Sequence, residues 1–376
     1  MRTSKRFTSL AVIAALGLMA AACGSDSKSE STTAPTTTQA SGATTPATTP
    51  TAATTAATTA GTEAGTTPAS ASNVTAGVAF DTGGRGDGTF NDSAGRGLDK
   101  AVSELGVKKI ELEATKDEDR ASNLALLVQQ KANPIIGVGF LFGDPMLALA
   151  KDNPNTTFAI VDSVVDAPNV RSLVFAENEG SFLVGAAAAL KSKTGHIGFI
   201  GGQEIDLIKK FEAGYIAGAK AVNPDIKIES KYLGPAGDNS AWGNVAGAKE
   251  IASGWYDAGA DVIYTAAGGS GAGTIQAAVE ANAWAIGVDS DQYLIAKPDE
   301  QKHILTSMLK HVDVAVFETI KAVADGDTKG GIITFDLKSD GVGYATSGGY
   351  LDDVKDKLDA YKADIISGKI VVPTKP

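Results

Sequence analysis

From residue 74 onward, short runs of β-branched and aliphatic residues alternate with longer stretches whose apolar positions recur at helical spacing. The first runs predict strands over 74–80, 108–114, 134–140, 157–162 and 170–175, with helices over 91–105, 119–132 and 144–151 between them. A second series opens with an Ala-rich helix over 179–191. It continues with strands over 196–200, 226–233, 262–266 and 283–288, separated by helices over 208–221, 243–258 and 272–281. Such alternation specifies βαβ units and parallel sheets, because a parallel return needs a long crossover. Two series of this kind predict an α/β fold of two doubly wound parallel-sheet lobes.

In open α/β sheets, ligands sit at the carboxyl ends of the strands. Topology alone therefore singles out the residues just past each run. In the first series these are Asp81-Thr82-Gly83-Gly84, Phe140 and Asp162. In the second they are Gly201-Gly202, Ala267-Gly268-Gly269 and Asp289. Lys310 follows the apolar run 304–309 and is a further candidate. The loop from Asp81 to Asn91 carries four glycines, which let the backbone turn tightly near a ligand. Within it Phe90 has little local core to join; a stacking platform for a flat ligand and ordinary packing between lobes both fit. Asn91 suits the N-cap of the helix that follows.

Catalytic and phosphate motifs fare less well. Residues 268–273 give glycines spaced G-x-G-x-G, which misses both the dinucleotide fingerprint and the nucleophile elbow. No G-x-x-x-x-G-K-[ST] loop is present, which argues against NTP hydrolysis. Asp81, Asp162, Asp289 and Asp291 are candidates for paired carboxylates, so a glycosidase stays open. A carboxylate also accepts two hydrogen bonds from a vicinal diol, a role that needs no catalysis. His196, His303 and His311 lie in no motif that marks a catalytic base.

The first 73 residues stand apart. Arg2, Lys5 and Arg6 precede an uncharged apolar run over 10–22 that is too short to span a bilayer, as in a secretory signal. That run ends in Ala20-Ala21-Ala22-Cys23-Gly24-Ser25, and Cys23 is the sole cysteine. Small residues ahead of the Cys resemble a bacterial lipobox, which implies cleavage after residue 22 and lipid on Cys23. Several acyl chains, at roughly 0.8 kcal/mol per buried CH₂, hold a protein durably to a membrane. Between Ser31 and Phe80 the only charged residue is Glu63, and Thr, Ala, Pro, Gly and Ser dominate. Such a stretch buries too little apolar surface to offset the entropy of ordering, so 23–73 reads as a lipidated N-terminus and a disordered tether. The localisation expected is the cell membrane, lipid-anchored on the extracytoplasmic face.

Charge and composition narrow the partners. Lys and Arg total 33 against 44 Asp and Glu, without a basic block, which argues against nucleic acid. One Cys and three His cannot supply a structural zinc site or a disulfide framework, and no cofactor motif is present.

These residues, taken together, resemble the basic membrane protein family of bacterial substrate-binding lipoproteins. The resemblance rests on Asp81-Thr82-Gly83-Gly84 with Phe90-Asn91, on residues 135–140 (IIGVGF) and on residues 177–185 (ENEGSFLVG). It continues in Gly201-Gly202, residues 268–271 (GGSG), Gly287-Val288-Asp289 and residues 306–310 (TSMLK). The family implies a periplasmic-binding-protein fold of the first type, two lobes joined by three crossings with a ligand cleft between them. It implies no enzyme, but the binding component of an ABC importer, with a nucleoside, often a purine nucleoside, as ligand. Permease and ATPase subunits would then be the partners. Carried over by motif, Phe90 and Phe211 would sandwich the base; Asn91, Asp81 and Asp162 would read its polar edge. Asp289 and Lys310 would hold ribose hydroxyls, helped by Gly268 and Gly269, with Phe140 and Trp242 on the pocket wall. One departure is the loop Arg85-Gly86-Asp87-Gly88-Thr89, where relatives usually carry Asp and Ser before the Phe; Asp87 would keep the acidic position. The competing readings are a secreted nucleoside or glycoside hydrolase, and a binding protein for a sugar or another small solute. The expected segmentation gives 74–177 and 307–328 to lobe 1, and 178–306 and 329–376 to lobe 2.

Overall fold

Apolar alternation along β1 (Thr75–Phe80) sends Val78 and Phe80 to one face and Ala79 to the other, all fully buried, as expected for a strand covered on both sides. In the computed structural model, which describes residues 73–376, five strands join β1 in one sheet. They are β2 (Lys108–Glu113), β3 (Ile135–Val138), β4 (Phe158–Val161), β5 (Val170–Phe175) and β11 (Gly331–Phe335), in the order β11-β5-β4-β3-β1-β2 and all parallel. The second sheet holds β6 (His196–Glu204), β7 (Lys227–Pro235), β8 (Val262–Ala266), β9 (Trp284–Asp289), β10 (Ile304–Lys310) and β12 (Val342–Tyr344). Its order, β12-β10-β9-β8-β6-β7, repeats the first, and only β12 runs antiparallel to its neighbour. The α/β architecture of two mostly parallel sheets is the one expected. The expected signal peptide, Cys23 and nearly all of the expected tether lie outside the described residues. No helix among the described residues is long and apolar enough to cross a membrane.

Helices α1 (Phe90–Leu105), α2 (Asp119–Gln129) and α3 (Gly143–Asp152) cover the first sheet. α4 (Glu177–Lys191), α5 (Asp206–Val222), α6 (Val245–Asp257), α7 (Gly271–Ala281) and α9 (Lys355–Ile366) belong to the second lobe, while α8 (Val312–Ala324) packs on α1. Helices α4 and α5 pack unusually close. A Cβ on Gly214 would stand 2.1 Å from the Asn178 carbonyl oxygen, and one on Gly218 only 1.9 Å from that of Phe182. Glycine here is a packing requirement rather than a turn.

Two expectations about boundaries are corrected by the sheets. β10 pairs with β9 in the second sheet, so residues 307–310 belong to lobe 2; β11 pairs with β5, so residues 331–335 belong to lobe 1. Phe335 stacks on Phe175 at 5.1 Å, which fixes that edge. The chain thus passes between sheets three times among the described residues: after Phe175, after Lys310 and after Phe335. The sixth strand of each lobe is late and short, and its sheet is decided by pairing, not by its own composition. The second correction concerns β6, expected to end at residue 200. It runs on to Glu204, paired with β7 as far as Pro235, and takes glycine at 201 and 202 because rings lie where their side chains would be. A Cβ on Gly202 would be 2.3 Å from the Trp242 ring, and one on Gly201 2.6 Å from that of Tyr232.

Candidate binding cleft between the two sheets

The carboxyl ends of β1, β3 and β4 in one lobe and of β8, β9 and β10 in the other line a single cavity of about 270 Å³. The eleven residues to which the family resemblance gives a ligand role all border it. Gly84, Gly201, Gly202 and Asp291, also singled out from sequence, are not part of its lining; Gly201 and Gly202 lie inside β6 rather than past its end. From lobe 1 come Asp81, Phe90, Asn91, Phe140 and Asp162; from lobe 2 come Phe211, Trp242, Gly268, Gly269, Asp289 and Lys310. Leu207 and Ile208 of α5 also line the wall, as do Gly139, Gly243, Ala266 and Val288, none of them given a ligand role from sequence.

The β1–α1 loop is organised by Asp87, not by Asn91. Asp87 Oδ1 accepts the backbone N–H groups of Thr89 (2.9 Å) and Asp92 (3.1 Å), and Oδ2 accepts that of Asn91 (2.8 Å). Its carboxylate thereby meets the unpaired amides at the start of α1. Asn91, expected at the N-cap, is the second residue of the helix and is buried. Its Oδ1 accepts the Asp81 N–H at 3.1 Å while its Nδ2 donates to Asp87 at 3.1 Å, which fixes the amide orientation.

Asp81 is held by one oxygen. Oδ1 accepts from the backbone N–H (2.7 Å) and hydroxyl (3.0 Å) of Thr82, and from Nε (2.8 Å) and Nη2 (2.5 Å) of Arg120. Oδ2 makes no hydrogen bond among the described residues. Arg120 opens the α2 turn far along the chain, so no local pattern pointed to it.

The polar floor is an ion cluster around Lys310. Its Nζ donates to Asp162 Oδ2 at 2.6 Å and stands 3.5 Å from Glu177 Oε1; Glu177 Oε2 pairs in turn with Lys210 at 3.2 Å. Burial by itself would lower Lys310, but Asp162, Glu177 and Asp289 outweigh it and hold the ammonium above its usual range. Burial raises the Glu177 carboxyl, against the pull of Lys310. Burial likewise lifts Asp289 to about 7, with Lys310 opposing and Asp162, Asp87 and Glu177 adding to the rise. Asp289 is 8% exposed and its carboxylate makes no hydrogen bond among the described residues. The buried Asp162 Oδ1 has no partner there either. Asp162 and Asp289 occupy the same place in the two lobes, at the ends of β4 and β9, and both adopt left-handed backbone, at φ 68° and 64°. Non-glycine residues rarely take that conformation, and such strain concentrates at functional sites.

Aromatic rings close the sides. Lys310 Nζ lies 5.3 Å from the ring centre of Phe90, 5.6 Å from Phe211 and 5.0 Å from Phe175. Phe140 and Trp242 meet edge to face across the cleft, their centres 6.4 Å apart. At the far side Gly268, at φ 55°, and Gly269 lead into α7; a Cβ on either would reach within 3.5 Å of the Trp242 carbonyl oxygen. Such a cleft suits a flat ligand carrying hydroxyl groups: rings for the flat part, carboxylate acceptors for the hydroxyls.

A family model described as "ABC transporter substrate-binding protein PnrA-like" matches residues 74–375, the whole described fold but its last residue and Asn73. The chain belongs to this family. A curated relative within it is the ABC transporter nucleoside-binding protein BmpA of Lactococcus lactis, 38% identical over 323 residues, covering 81% of this chain and 90% of the relative. An uncharacterized lipoprotein of Pyrococcus abyssi is 36% identical over 294 residues, covering 74% of this chain and 70% of its own. Among solved structures, an ABC transporter solute-binding protein of Aeropyrum pernix superposes with a TM-score of 0.68 at 29% identity, covering 80% of this chain and 94% of that one. The resemblance to the basic membrane protein family read from the cleft motifs is thus borne out. As a PnrA-like substrate-binding protein, the chain is the binding component of an ABC transporter. Arg120 lies in none of the motifs that carried the resemblance. Asp87 and Glu177 lie in or beside them, but the contacts of Asp87 with the helix amides and of Glu177 with Lys310 and Lys210 are ones that motif spacing does not reveal.

Proposed function

We propose that this protein is the lipid-anchored receptor of an ABC importer and binds a purine nucleoside in the cleft, its base between Phe90 and Phe211. One observation carries the reading. Asp289 borders the cavity, is only 8% exposed, and its carboxylate makes no hydrogen bond among the described residues, while Phe90 and Phe211 border the same cavity from opposite lobes. A carboxylate in so enclosed a cavity with no protein donor leaves room for donors from a ligand, and ribose hydroxyls supply two. The volume of about 270 Å³ falls near the lower end for small-molecule sites, which favours a nucleoside over an oligosaccharide. Asp81 Oδ2 offers an acceptor for an N–H of the base, and the second Asn91 Nδ2–H offers a donor. The role is binding, without bond cleavage. Lipid on Cys23 would keep the protein on the extracytoplasmic face, where permease and ATPase subunits of the importer are its partners.

The test is calorimetry with adenosine, guanosine, inosine and uridine, followed by chromatography of each mixture. Binding of a purine nucleoside with no free base released is the expected result. Release of free base would make the protein a hydrolase, and no binding by any of the four would remove the nucleoside reading. Lipid labelling of Cys23→Ser should fail; label persisting on that variant would place the anchor elsewhere.

A further inference from the structure

Arg120 is only 4% exposed, yet none of the cleft motifs includes it. Its guanidinium faces two ways. Nε and Nη2 hold Asp81 Oδ1 at 2.8 and 2.5 Å, Nη2 also reaches the Thr82 hydroxyl at 3.0 Å, and Nη1 donates to Asp117 Oδ1 at 2.7 Å. The same Asp117 oxygen accepts Asn239 Nδ2 at 2.9 Å, and Asn239 belongs to the other lobe. Asn239 is itself oriented: its Oδ1 accepts from Gln203 Nε2 at 2.8 Å, and Gln203 Oε1 accepts the Gly237 N–H at 2.9 Å. The short helical turn that begins at Asn239 ends at Trp242, whose ring borders the cavity and meets Phe140 across the cleft.

We propose that Arg120 is a positioning residue that couples the ligand-facing carboxylate of Asp81 to a cross-cleft latch formed by Asp117 and Asn239. The physical basis is the planar fork of arginine, whose N–H groups keep fixed relative directions. Asp81 and Asp117 therefore move as one unit. The Asp117–Asn239 bond exists only while the lobes are together, so it stabilises the closed state and retards release without contributing to first encounter. A ligand that accepts the Asp81 geometry favours the latch, and the latch in turn holds Asp81 for the ligand.

This proposal rests on the nucleoside reading above. Stopped-flow association and dissociation with adenosine and inosine test it, on the wild type and on Asn239→Ala, Asp117→Ala and their double variant. Each single change should raise the dissociation rate about 3- to 10-fold, with little change in association. That is less than a buried hydrogen bond to a charge would give, because the Asp117 side chain is 69% exposed and its charge is screened by solvent. The double variant should release no faster than either single one, because both remove the same contact. The exchanged pair Asp117→Asn with Asn239→Asp should restore slow release, which a merely structural role would not do. In an Arg120→Lys background, which keeps the charge but loses the fork, Asn239→Ala should have a smaller effect. Binding by the wild type with unchanged release in both single variants, or additive effects in the double one, would overturn the coupling alone. A wild type that binds no nucleoside would overturn both readings together.

Discussion

Lys310 Nζ stands 2.6 Å from Asp162 Oδ2, although the first ends a strand of the second sheet and the second follows a strand of the first. Both side chains are nearly fully buried, at 2% and 6% exposure. The pair ties the lobes at the floor of the cleft, and Glu177 at a crossing between sheets shares the same ammonium.

Lys310→Met should therefore destabilise the protein by about 3–5 kcal/mol, the cost of stranding buried carboxylates when their cation is removed. Urea denaturation of the ligand-free protein measures it. Wild-type stability in this variant would mean that water reaches Asp162 and Glu177 freely.

The carboxyl of Asp289 carries a pH signature. It is lifted to about 7 in the folded protein, against an ordinary value near 4 in the unfolded chain. Between those values the folded state binds more protons than the unfolded one. Stability without ligand is therefore highest below the unfolded value, falls as pH rises through the window from about 4 to 7, and is lowest above it. Glu177, also raised, acts in the same direction. Thermal denaturation of ligand-free protein at steps from about pH 4.5 to 8 should show this fall, and Asp289→Asn should flatten it. A steeper fall in Asp289→Asn would contradict the assignment.

Ligand binding should show the opposite slope. If ribose hydroxyls donate to ionised Asp289, affinity rises with pH up to about 7 and protons are released on binding. Asp289→Ala should weaken ribonucleoside binding about 10- to 150-fold, the loss of charge-assisted hydrogen bonds worth roughly 1.5–3 kcal/mol. Preference for ribonucleosides over deoxyribonucleosides should shrink, while binding of the free base changes little. Calorimetry with all three ligands decides it, and equal losses for ribonucleoside and free base would remove the ribose role.

Phe90→Ala should weaken nucleoside binding about 5- to 150-fold, by analogy with base–aromatic stacking of roughly 1–3 kcal/mol. Phe90→Leu should recover only part, because it fills space without a flat π face. Full affinity in both variants would reduce Phe90 to packing between lobes.

Gly218→Ala should destabilise the second lobe by about 1–3 kcal/mol, although alanine is the better helix former by up to about 1 kcal/mol. The sign follows from the 1.9 Å between a Cβ at this position and the Phe182 carbonyl oxygen. α4 and α5 must separate to admit a methyl group. A midpoint equal to or above wild type in chemical denaturation would show that the helices shift at no cost.

What the sequence determined by itself is local. Periodicity located β1 to β9 and marked β10 as an apolar run, while β11 and β12 were not read from it; each strand's carboxyl end follows from chain direction. Order along the chain therefore assigned Asp81, Phe140, Asp162, Gly268 and Asp289 to the cleft that they border. It also assigned Gly201 and Gly202, which lie inside β6 because the strand runs four residues further than its periodicity shows. Phe211 and Trp242 needed family resemblance, because a helix or loop position carries no such directional mark. Tertiary structure alone decided which sheet β10 and β11 join, since an apolar run of five to seven residues satisfies either edge and the pairing partner lies more than a hundred residues away for β11. It also decided that Asp87 rather than Asn91 meets the helix amides, because turn geometry, not residue type, sets which side chain reaches them. The contacts from Arg120 to Asp81 and Asp117, and from Asp117 to Asn239, belong to the same class. Charged side chains look alike along a chain, and only folding, which brings distant segments to one point and excludes water there, makes two of them partners.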